Sequence, residues 1–264
     1  MKTIGIIGGG FVGGAVARGW MEHAEVKIFD VLPEKATHTK AEVLECDVIF
    51  VCLPTPMGED GAADLTFLYD FFRSVKGAAK GKPFVIKSTV PPGTTRKIAD
   101  FFGLPRVMFN PEFLTARCAT IDYQCATSHY IGAISTIDDA PNDVADMISH
   151  RFRQVCKVVP VEVAESIKYG RNVFFAVKVA FFNEFRQFCE AAGIDWECVL
   201  AGILEDGRIA ASHCFVPGPD GKWGYGGACL PKDINALMAA CREVGVDPKT
   251  MAGAWAKNQE VRPE

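Results

Sequence analysis

The chain has 264 residues, of which 49% are hydrophobic and 23% are charged, a composition typical of folded globular proteins. Its formal net charge of −4 argues against the basic surface expected of a protein that binds nucleic acid or an anionic membrane. We therefore expect a small-molecule ligand that is contacted by local groups.

The ten cysteines are scattered along the chain, without CxxC or Cys/His spacings that would hold a metal. This pattern indicates reduced thiols, a cytoplasmic location and no metal site. Glycines interrupt the apolar N-terminal stretch, which argues against a signal peptide. No stretch reaches the roughly 18 uninterrupted apolar residues that a membrane span needs.

Six apolar runs of strand length alternate with helical patterns in the first part of the chain. The runs begin at Thr3, Val26, Asp47, Pro83, Arg106 and His129. The candidate helices are residues 11–22, 65–80, 94–102 and 142–153. Continuous apolar runs between helices predict a doubly wound α/β domain, with a parallel sheet covered on both faces. We assign residues 1–157 to this domain.

Beyond residue 157 the helical patterns continue, and no strand-like run recurs. The longest pattern covers residues 161–192, and it is followed by 196–204, 231–244 and a short last helix. These patterns predict an all-helical second domain, residues 158–264, with one long central helix. Because the stretch "VFFAVKVAFF" is apolar almost all round that helix, we expect the helix to be buried, partly against a second copy in a homodimer.

The first predicted strand is followed directly by Gly8, Gly10 and Gly13, which open the first helix in a GxGxxG pattern. In this pattern the first glycine allows a tight turn, the second lets a pyrophosphate approach the backbone, and the third lets helix and strand touch. The second strand ends at Asp30, whose carboxylate can accept hydrogen bonds from a ribose and would repel a 2′-phosphate. The first domain is therefore predicted to be a Rossmann domain that binds NAD in preference to NADP.

Five further residues are candidate cofactor contacts. Phe11 and Val12 follow the second glycine, and Lys35 lies shortly after the acidic residue. Thr55 and Thr89 stand at the carboxyl ends of later strands, where ligands bind in open α/β sheets. The alternative for the threonines is ordinary turn and N-cap hydrogen bonding, and the alternative for the lysine is a solvated surface position.

The long helix carries a polar pair on one face. Lys168 and Asn172 are four residues apart, so both project from the same side of the helix. A cation and an amide directed at one oxygen would stabilise an alkoxide or a tetrahedral oxyanion. The alternative is an ion pair between Glu165 and Lys168 on a solvated face. Asn183 and Glu184 are interpreted as polar interruptions at a subunit contact.

The stretch "FNPEFL" places Glu112 just beyond a strand end, a position from which α/β proteins take their chemistry. A carboxylate there can activate a water molecule. The alternative is a surface glutamate that follows a turn proline.

The stretch "GYGGACLPKD" contains a cysteine at the expected start of a helix. Gly226 and Gly227 leave room for a ligand beside Cys229, and Pro231 suits the first helical turn. A helix N-terminus and a neighbouring lysine stabilise a thiolate, so the pattern favours a nucleophile. Asp233 lies one turn further on. The alternative is a buried, inert thiol.

Taken together, these segments resemble the UDP-glucose/GDP-mannose dehydrogenase family. The resemblance extends from residue 2 to about residue 260, and it rests on "GIIGGGFVG", "CLPTPMGEDGAADL", "KSTVPPGTT", "NPEFL", "ESIKYGRN", "FFNE", "EDGRI" and "GYGGACLPKD". It implies a four-electron, NAD-dependent oxidation of a nucleotide sugar's C6 alcohol to a carboxylate, with UDP-glucose as the expected substrate.

The resemblance also implies roles for individual residues. A base takes the hydroxyl proton through water, a cation and an amide hold the oxyanion, a thiol forms a thiohemiacetal and then a thioester, and a glutamate activates the hydrolytic water. The implied catalytic residues are Asp233, Lys168, Asn172, Cys229, Glu112 and Thr89. The implied substrate contacts are Glu112, Phe113, Leu114, Lys168, Asn172, Arg208, Tyr225 and Gly226.

The sequence departs from the family pattern in three places. Ala116 stands where the family has a second acidic residue, and Ala126 and Ser128 replace a proline and an arginine. Family members usually carry a third, nucleotide-binding domain, and we expect this chain to be either a fragment or a compact form without that domain. Two alternatives remain open: a two-electron dehydrogenase of the 3-hydroxyacid or 6-phosphogluconate type, which lacks "GYGGACLPKD", and a non-catalytic NAD-binding module.

Overall fold

The computed structural model describes residues 2–77, 81–115, 117–135 and 139–263. It forms two compact units. Unit 1 consists of residues 1–56 and 64–168, and unit 2 consists of residues 57–63 and 169–264. The division between units thus falls inside the long helix, and the domain boundary after residue 157 stays a prediction.

A seven-stranded sheet organises the described part of unit 1. The strands are β1 Thr3–Ile7, β2 Glu25–Phe29, β3 Val48–Val51, β4 Phe84–Ile86, β5 Val107–Phe109, β6 His129–Ala133 and β7 Cys156–Pro160. Their order across the sheet is β2-β1-β3-β4-β5-β6-β7. This order, with helices between the strands, confirms the predicted doubly wound Rossmann architecture.

One strand pair corrects the prediction of a fully parallel sheet. Strand β5 pairs antiparallel with β6, with Phe109 opposite Gly132. The intervening segment contains one short described helix, α5 Ala119–Gln124, and the chain re-enters the sheet from the edge at which β5 ends. Strand β7 was absent from the predicted strands because it is a half-buried edge strand that lacks a continuous apolar run.

The remaining helices of unit 1 cover both faces of the sheet. They are α1 Phe11–Trp20, α2 Lys40–Leu44, α3 Thr66–Val75, α4 Thr94–Phe102 and α6 Ala140–Phe152, together with the first part of α7 Val161–Ala191. Within β3, Ile49 and Val51 join the core beneath one helical layer, and Val48 and Phe50 join the core beneath the other. The period of two along the strand therefore divides the apolar side chains between two cores.

Unit 2 is built from helices: the rest of α7, α8 Trp196–Leu204, α9 Leu230–Glu243 and α10 Lys249–Val261. The prediction that α7 is buried partly against a second copy stays a prediction, and in the single chain one face of the helix is uncovered. Phe174, Phe181 and Phe188 are 61%, 57% and 58% exposed. Their spacing of seven residues places them in one stripe along the helix, because two helical turns take roughly seven residues.

All ten cysteines are free thiols. In the part of the chain that the structure describes, no helix combines the length and apolar character that crossing a membrane requires. The same residues contain no group of three or more His, Cys, Asp or Glu side chains placed to hold a metal ion.

Candidate active site

The glycine loop of unit 1 is shaped by close backbone contacts. Gly8 has a φ of +94°, and a Cβ there would lie 2.6 Å from the carbonyl oxygen of Cys52. A Cβ on Gly13 would lie only 1.9 Å from the carbonyl oxygen of Gly8. A Cβ on Gly10, by contrast, would meet no atom within 4 Å. The open space at this residue, just before α1 begins at Phe11, fits a phosphate at a helix N-terminus.

Asp30 is held beside this loop by backbone groups. Its Oδ2 accepts a hydrogen bond from the N–H of Gly9 at 2.7 Å, and its Oδ1 accepts one from the N–H of Leu32 at 2.9 Å. Each carboxylate oxygen retains a lone pair for a ribose hydroxyl. The exposed Lys35 adjoins the loop through its backbone, because a Cβ on Gly9 would lie 2.6 Å from its carbonyl oxygen. These residues fit a dinucleotide.

The other candidate cofactor contacts differ in burial and in whether their polar groups are already hydrogen-bonded. The Thr55 hydroxyl donates to the carbonyl oxygen of Thr89 at 2.8 Å, and both residues are buried. This bond joins the ends of two strands whose threonines are 34 positions apart, so it is neither the local turn bond nor the N-cap bond of the alternative. Phe11 is 49% exposed in the first turn of α1, whereas Val12 packs against the core.

A buried ion pair joins α7 to the end of β5. The Lys168 Nζ donates to Glu112 Oε1 at 2.7 Å and to the Glu112 carbonyl oxygen at 2.6 Å, and the two side chains are 3% and 7% exposed. Burial raises the pKa of the Glu112 carboxyl, but the Lys168 ammonium, the N–H of Leu114 and Lys87 outweigh it and hold that pKa below its usual value. Glu112 is therefore an ionised acceptor rather than the surface glutamate of the alternative. Phe113 packs with its ring centroid 5.6 Å from the Lys168 Nζ.

A second buried cation, which the sequence analysis missed, lies next to this acid. Lys87 is 2% exposed, and its Nζ donates to Asn110 Oδ1 at 2.7 Å. Burial lowers the pKa of Lys87 to about 8. Lys87, Glu112 and His129 line a small cavity of about 20 Å³, a volume that holds about one water molecule. Among the described residues no group pairs with the buried Nε2 of His129. The lysine within the apolar strand run "PFVIKST" is the signal that could have revealed this cluster.

Ala126 and Ser128, which stand where the family pattern has a proline and an arginine, also line this cavity. The third departure, Ala116, lies outside the described residues.

The predicted alternative of a solvated ion pair between Glu165 and Lys168 is wrong. Glu165 is fully buried, and its carboxylate accepts hydrogen bonds from the N–H groups of Gly93 at 2.5 Å and Thr95 at 2.9 Å. It thereby caps the N-terminus of α4 from a different helix, satisfying donors that the helix itself cannot. Burial raises the pKa of Glu165 to about 7, although these hydrogen bonds lower it.

In unit 2, a buried aspartate has two nitrogen partners. Asp233 is fully buried in the first turn of α9. Its Oδ2 accepts a hydrogen bond from Asn172 Nδ2 at 2.6 Å, and its Oδ1 accepts one from the Nζ of Lys232. Asn172 and Lys168 thus lie one turn apart on α7, and each donates to an acid of its own. Among the described residues, no single oxygen accepts hydrogen bonds from both side chains.

Cys229 is exposed and precedes α9 directly, at its N-cap position. The backbone N–H of Asp233 donates to the Cys229 carbonyl oxygen at 2.9 Å, which closes the first helical turn. Pro231 lies within that turn, as predicted. The alternative of a buried thiol is therefore wrong, and the residue stands at the helix N-terminus where the sequence predicted it.

The remaining candidate substrate contacts in unit 2 range from an exposed arginine to a buried tyrosine. The side chain of Arg208 is 89% exposed, and its guanidinium pairs with Asp206 in the same loop. Tyr225 is 4% exposed, with its ring in the core of the unit. The space beside Gly226, predicted to admit a ligand, contains the guanidinium of Arg262, because a Cβ there would lie 2.4 Å from its Cζ.

Two family models match the chain. Residues 32–141 match the NAD binding domain of the UDP-glucose/GDP-mannose dehydrogenase family, and residues 162–260 match the central domain of the same family.

Individual relatives agree with these matches. The chain is 32% identical over 227 residues to a UDP-glucose 6-dehydrogenase of Pseudomonas aeruginosa, covering 81% of this chain and 49% of that protein. It is 31% identical over 240 residues to a GDP-mannose 6-dehydrogenase of the same organism, covering 84% and 53%. The solved UDP-glucose dehydrogenase of Pyrobaculum islandicum superposes with a TM-score of 0.86 at 26% identity, covering 98% of this chain and 68% of that one. The chain spans about half the length of the two Pseudomonas relatives.

Proposed function

This chain belongs to the UDP-glucose/GDP-mannose dehydrogenase family, and from that premise we propose that it oxidises the C6 alcohol of a nucleotide sugar to a carboxylate. UDP-glucose is the proposed substrate, because a relative named UDP-glucose 6-dehydrogenase is 32% identical and a solved UDP-glucose dehydrogenase superposes with a TM-score of 0.86. The GDP-mannose 6-dehydrogenase is 31% identical, so the test below includes GDP-sugars. The observation that carries the four-electron reaction is the exposed Cys229 thiol at the start of α9, one turn before the buried Asp233.

The cofactor is NAD, as the match to the NAD binding domain shows. When bound, NAD accepts a hydride in each of two oxidations. The open backbone at Gly10 and the N-terminus of α1 would hold the pyrophosphate, and the Asp30 carboxylate would hold a ribose.

We propose that the first oxidation depends on Asp233 as the base. The substrate hydroxyl loses its proton to this carboxylate through water while the C6–H bond gives up its electron pair, leaving an aldehyde. The Asn172 hydrogen bond supports this role because it orients the buried carboxylate. Lys168 and Asn172 would stabilise the negative charge that develops on the substrate oxygen.

The second oxidation uses the thiol. The Cys229 Sγ bonds to the aldehyde carbon and the oxygen takes up a proton, which gives a thiohemiacetal. Loss of its C–H electron pair and its hydroxyl proton gives a thioester. A water molecule, deprotonated by Glu112, then attacks the thioester carbon and breaks the C–S bond, which frees the acid and the thiol. The ion pair with Lys168 supports this role in one respect, because it keeps Glu112 in the carboxylate form that can accept a proton.

Two wider proposals accompany the reaction. The ten free thiols support a reducing compartment, the cytosol, as the site of action. The exposed phenylalanine stripe of α7 supports a homodimer in which two copies of the helix pack together, because a symmetric contact buries the same patch on both copies.

The test is the amount of NADH formed per nucleotide sugar consumed. With limiting UDP-glucose and excess NAD, the purified chain should form two NADH per sugar together with one equivalent of acid. One NADH per sugar would support a two-electron dehydrogenase instead. NAD binding without NADH formation, across a panel of UDP- and GDP-sugars, would support the non-catalytic module.

A matched pair of cysteine variants isolates the thiol. We expect Cys229→Ala to form no acid and at most one NADH per sugar, while Cys198→Ala, which removes an exposed thiol from α8, keeps the ratio of two. Acid formation by Cys229→Ala at the rate of the unmodified chain would refute the covalent route.

A further inference from the structure

The loop that leads to Cys229 is bound by an asparagine from the last helix of the chain. The N–H of Tyr225 donates to Asn258 Oδ1 at 2.7 Å, and Asn258 Nδ2 donates to the Tyr225 carbonyl oxygen at 3.0 Å. Asn258 is fully buried in α10. One side chain therefore pairs both backbone groups of a loop residue, as a neighbouring strand would, and no water competes for these bonds.

The glycines of this loop allow α10 to approach it. Gly224 has a φ of +68°, and a Cβ on it would lie 2.6 Å from Asn258 Oδ1. A Cβ on Gly226 would lie 2.4 Å from the Arg262 guanidinium, which also pairs with Asp220 at 2.8 Å. Only glycine fits at Gly224 while α10 stays in place, whereas a side chain at Gly226 would have to displace the Arg262 guanidinium. Part of the glycine pattern thus serves contact with a helix of the same chain.

Helix α7 holds the same loop from another side. The N–H of Gly224 donates to Asn183 Oδ1 at 2.9 Å, and Asn183 Nδ2 donates to the Val179 carbonyl oxygen at 2.8 Å. Asn183 is 1% exposed, so its interpretation as a polar interruption at a subunit contact is wrong. The Tyr225 ring packs in the core of unit 2 with Ala254.

These bonds end shortly before the thiol. Gly227 has a φ of +77° and no atom within 4 Å of a Cβ built on it, and α9 begins one residue after Cys229. Tyr225, four positions before Cys229, is therefore the residue nearest the thiol that Asn258 holds by hydrogen bonds. We propose that Asn258 is a positioning residue, which fixes the thiol at the start of α9 by holding Tyr225, with Arg262 assisting at Gly226. The consequence for catalysis rests on the proposed function of Cys229.

The experiment compares three variants of the full chain. Asn258→Ala removes both bonds to Tyr225. Arg262→Ala removes only the outer contact, from a side chain that is 18% exposed, so it stays informative if Asn258→Ala fails to fold. The control is Lys257→Ala, on the same helix, which removes the hydrogen bond from Lys257 to Gln187 of α7 and leaves the loop contacts in place.

Two measurements are made on each folded variant. Hydrogen–deuterium exchange reports the Tyr225 amide, which we expect to exchange about tenfold faster in Asn258→Ala because its bond to the side chain is gone. NADH per UDP-glucose, with hydroxylamine present to trap free aldehyde, reports thiol placement. We expect the ratio to fall from two toward one in Asn258→Ala, less so in Arg262→Ala, and to stay at two in Lys257→Ala, with the KM for NAD unchanged.

Faster exchange together with a ratio below two supports the proposal. Unchanged exchange in both loop variants overturns it, and so does faster exchange with a ratio that stays at two. If the unmodified chain forms no NADH with any nucleotide sugar, the proposed function fails, and the exchange measurement alone decides whether Asn258 holds the loop.

Discussion

At the scale of single residues, each of two buried acids has its own nitrogen donor from α7. Glu112 pairs with Lys168 in unit 1, and Asp233 accepts from Asn172 in unit 2. A buried carboxylate without a partner is costly, and a buried ammonium is costly too. The donors therefore stabilise the fold as well as the chemistry that we propose for these acids.

The Lys168–Glu112 pair can be tested by a double-mutant cycle. Lys168→Met leaves Glu112 buried without its cation, so we expect the free energy of unfolding to fall by about 3–5 kcal/mol. Glu112→Gln combined with Lys168→Met removes both charges and should recover much of this loss. Urea denaturation measures all four chains, and strictly additive effects would show that the two side chains do not interact.

Glu165 predicts a pH dependence of stability. Its folded pKa of about 7 lies above the ordinary glutamate value of 4.5, so the folded state binds the proton more tightly than the unfolded state does. The stability contributed by that proton is fully present below about pH 4.5 and is lost as the pH rises to about 7, a change of about 3 kcal/mol. The free energy of unfolding, relative to Glu165→Gln, should fall across this interval in urea denaturations at fixed pH.

A control for this prediction lies one turn earlier on the same helix. The bond to Arg96 lowers the pKa of Glu162, so its contribution is lost only as the pH falls below about 4.5. The difference between the unmodified chain and Glu162→Gln should therefore be flat between pH 5 and 7. A flat profile for Glu165→Gln as well would contradict the assignment.

At the scale of secondary-structure elements, the 31 residues of α7 form two kinds of surface. Its polar side chains bind Glu112, Asp233 and the loop at Gly224, and its phenylalanine stripe is exposed. Substituting Phe181 by arginine places a charge in the proposed homodimer contact, where it would be buried without a partner. We expect Phe181→Arg to sediment as a monomer at micromolar concentration while the unmodified chain sediments as a dimer.

Phe101 provides the matched control for the stripe. It is 72% exposed in α4, outside the proposed contact, so Phe101→Arg should leave the dimer intact. A monomeric unmodified chain, or a dimer that survives Phe181→Arg, would refute the contact.

At the scale of the whole molecule, NAD should raise stability by mass action. A ligand that binds only the folded state at a hundred times its Kd stabilises that state by about 2.7 kcal/mol. Gly10→Ala separates this effect from folding, because its Cβ meets no protein atom yet fills the space that fits a phosphate. Without NAD, the Tm of Gly10→Ala should match that of the unmodified chain, and NAD should raise it far less.

Gly13→Ala should behave differently. Its Cβ would lie 1.9 Å from the Gly8 carbonyl oxygen, so the helix and strand must separate, and the Tm should fall even without NAD. Thermal unfolding of the two variants, each with and without NAD, distinguishes a ligand-facing glycine from a packing glycine. Equal Tm values for both variants without NAD would contradict this distinction.

Much of the fold follows from local pattern. The helices 94–102 and 196–204 are found at their predicted bounds, and the glycine motif lies between a strand and a helix. The antiparallel β6 could not be predicted, because strand direction depends on the path of the connecting segment rather than on the apolar run itself. The pairing of Lys168 with Glu112 rather than with Glu165 could not be predicted either, because it depends on how α7 packs against the end of β5.

The sequence by itself determined six of the seven strands and the longer helices, the dinucleotide fingerprint and the presence of a cysteine at a helix start, because periodicity, glycine and proline act within a few residues. Only the tertiary structure decided which polar groups meet. Lys168 and Glu112 are 56 positions apart, and Tyr225 and Asn258 are 33 apart. Such partners depend on how whole elements pack, and burial then makes each hydrogen bond obligatory, since an unpaired polar group in the core costs about 1–3 kcal/mol.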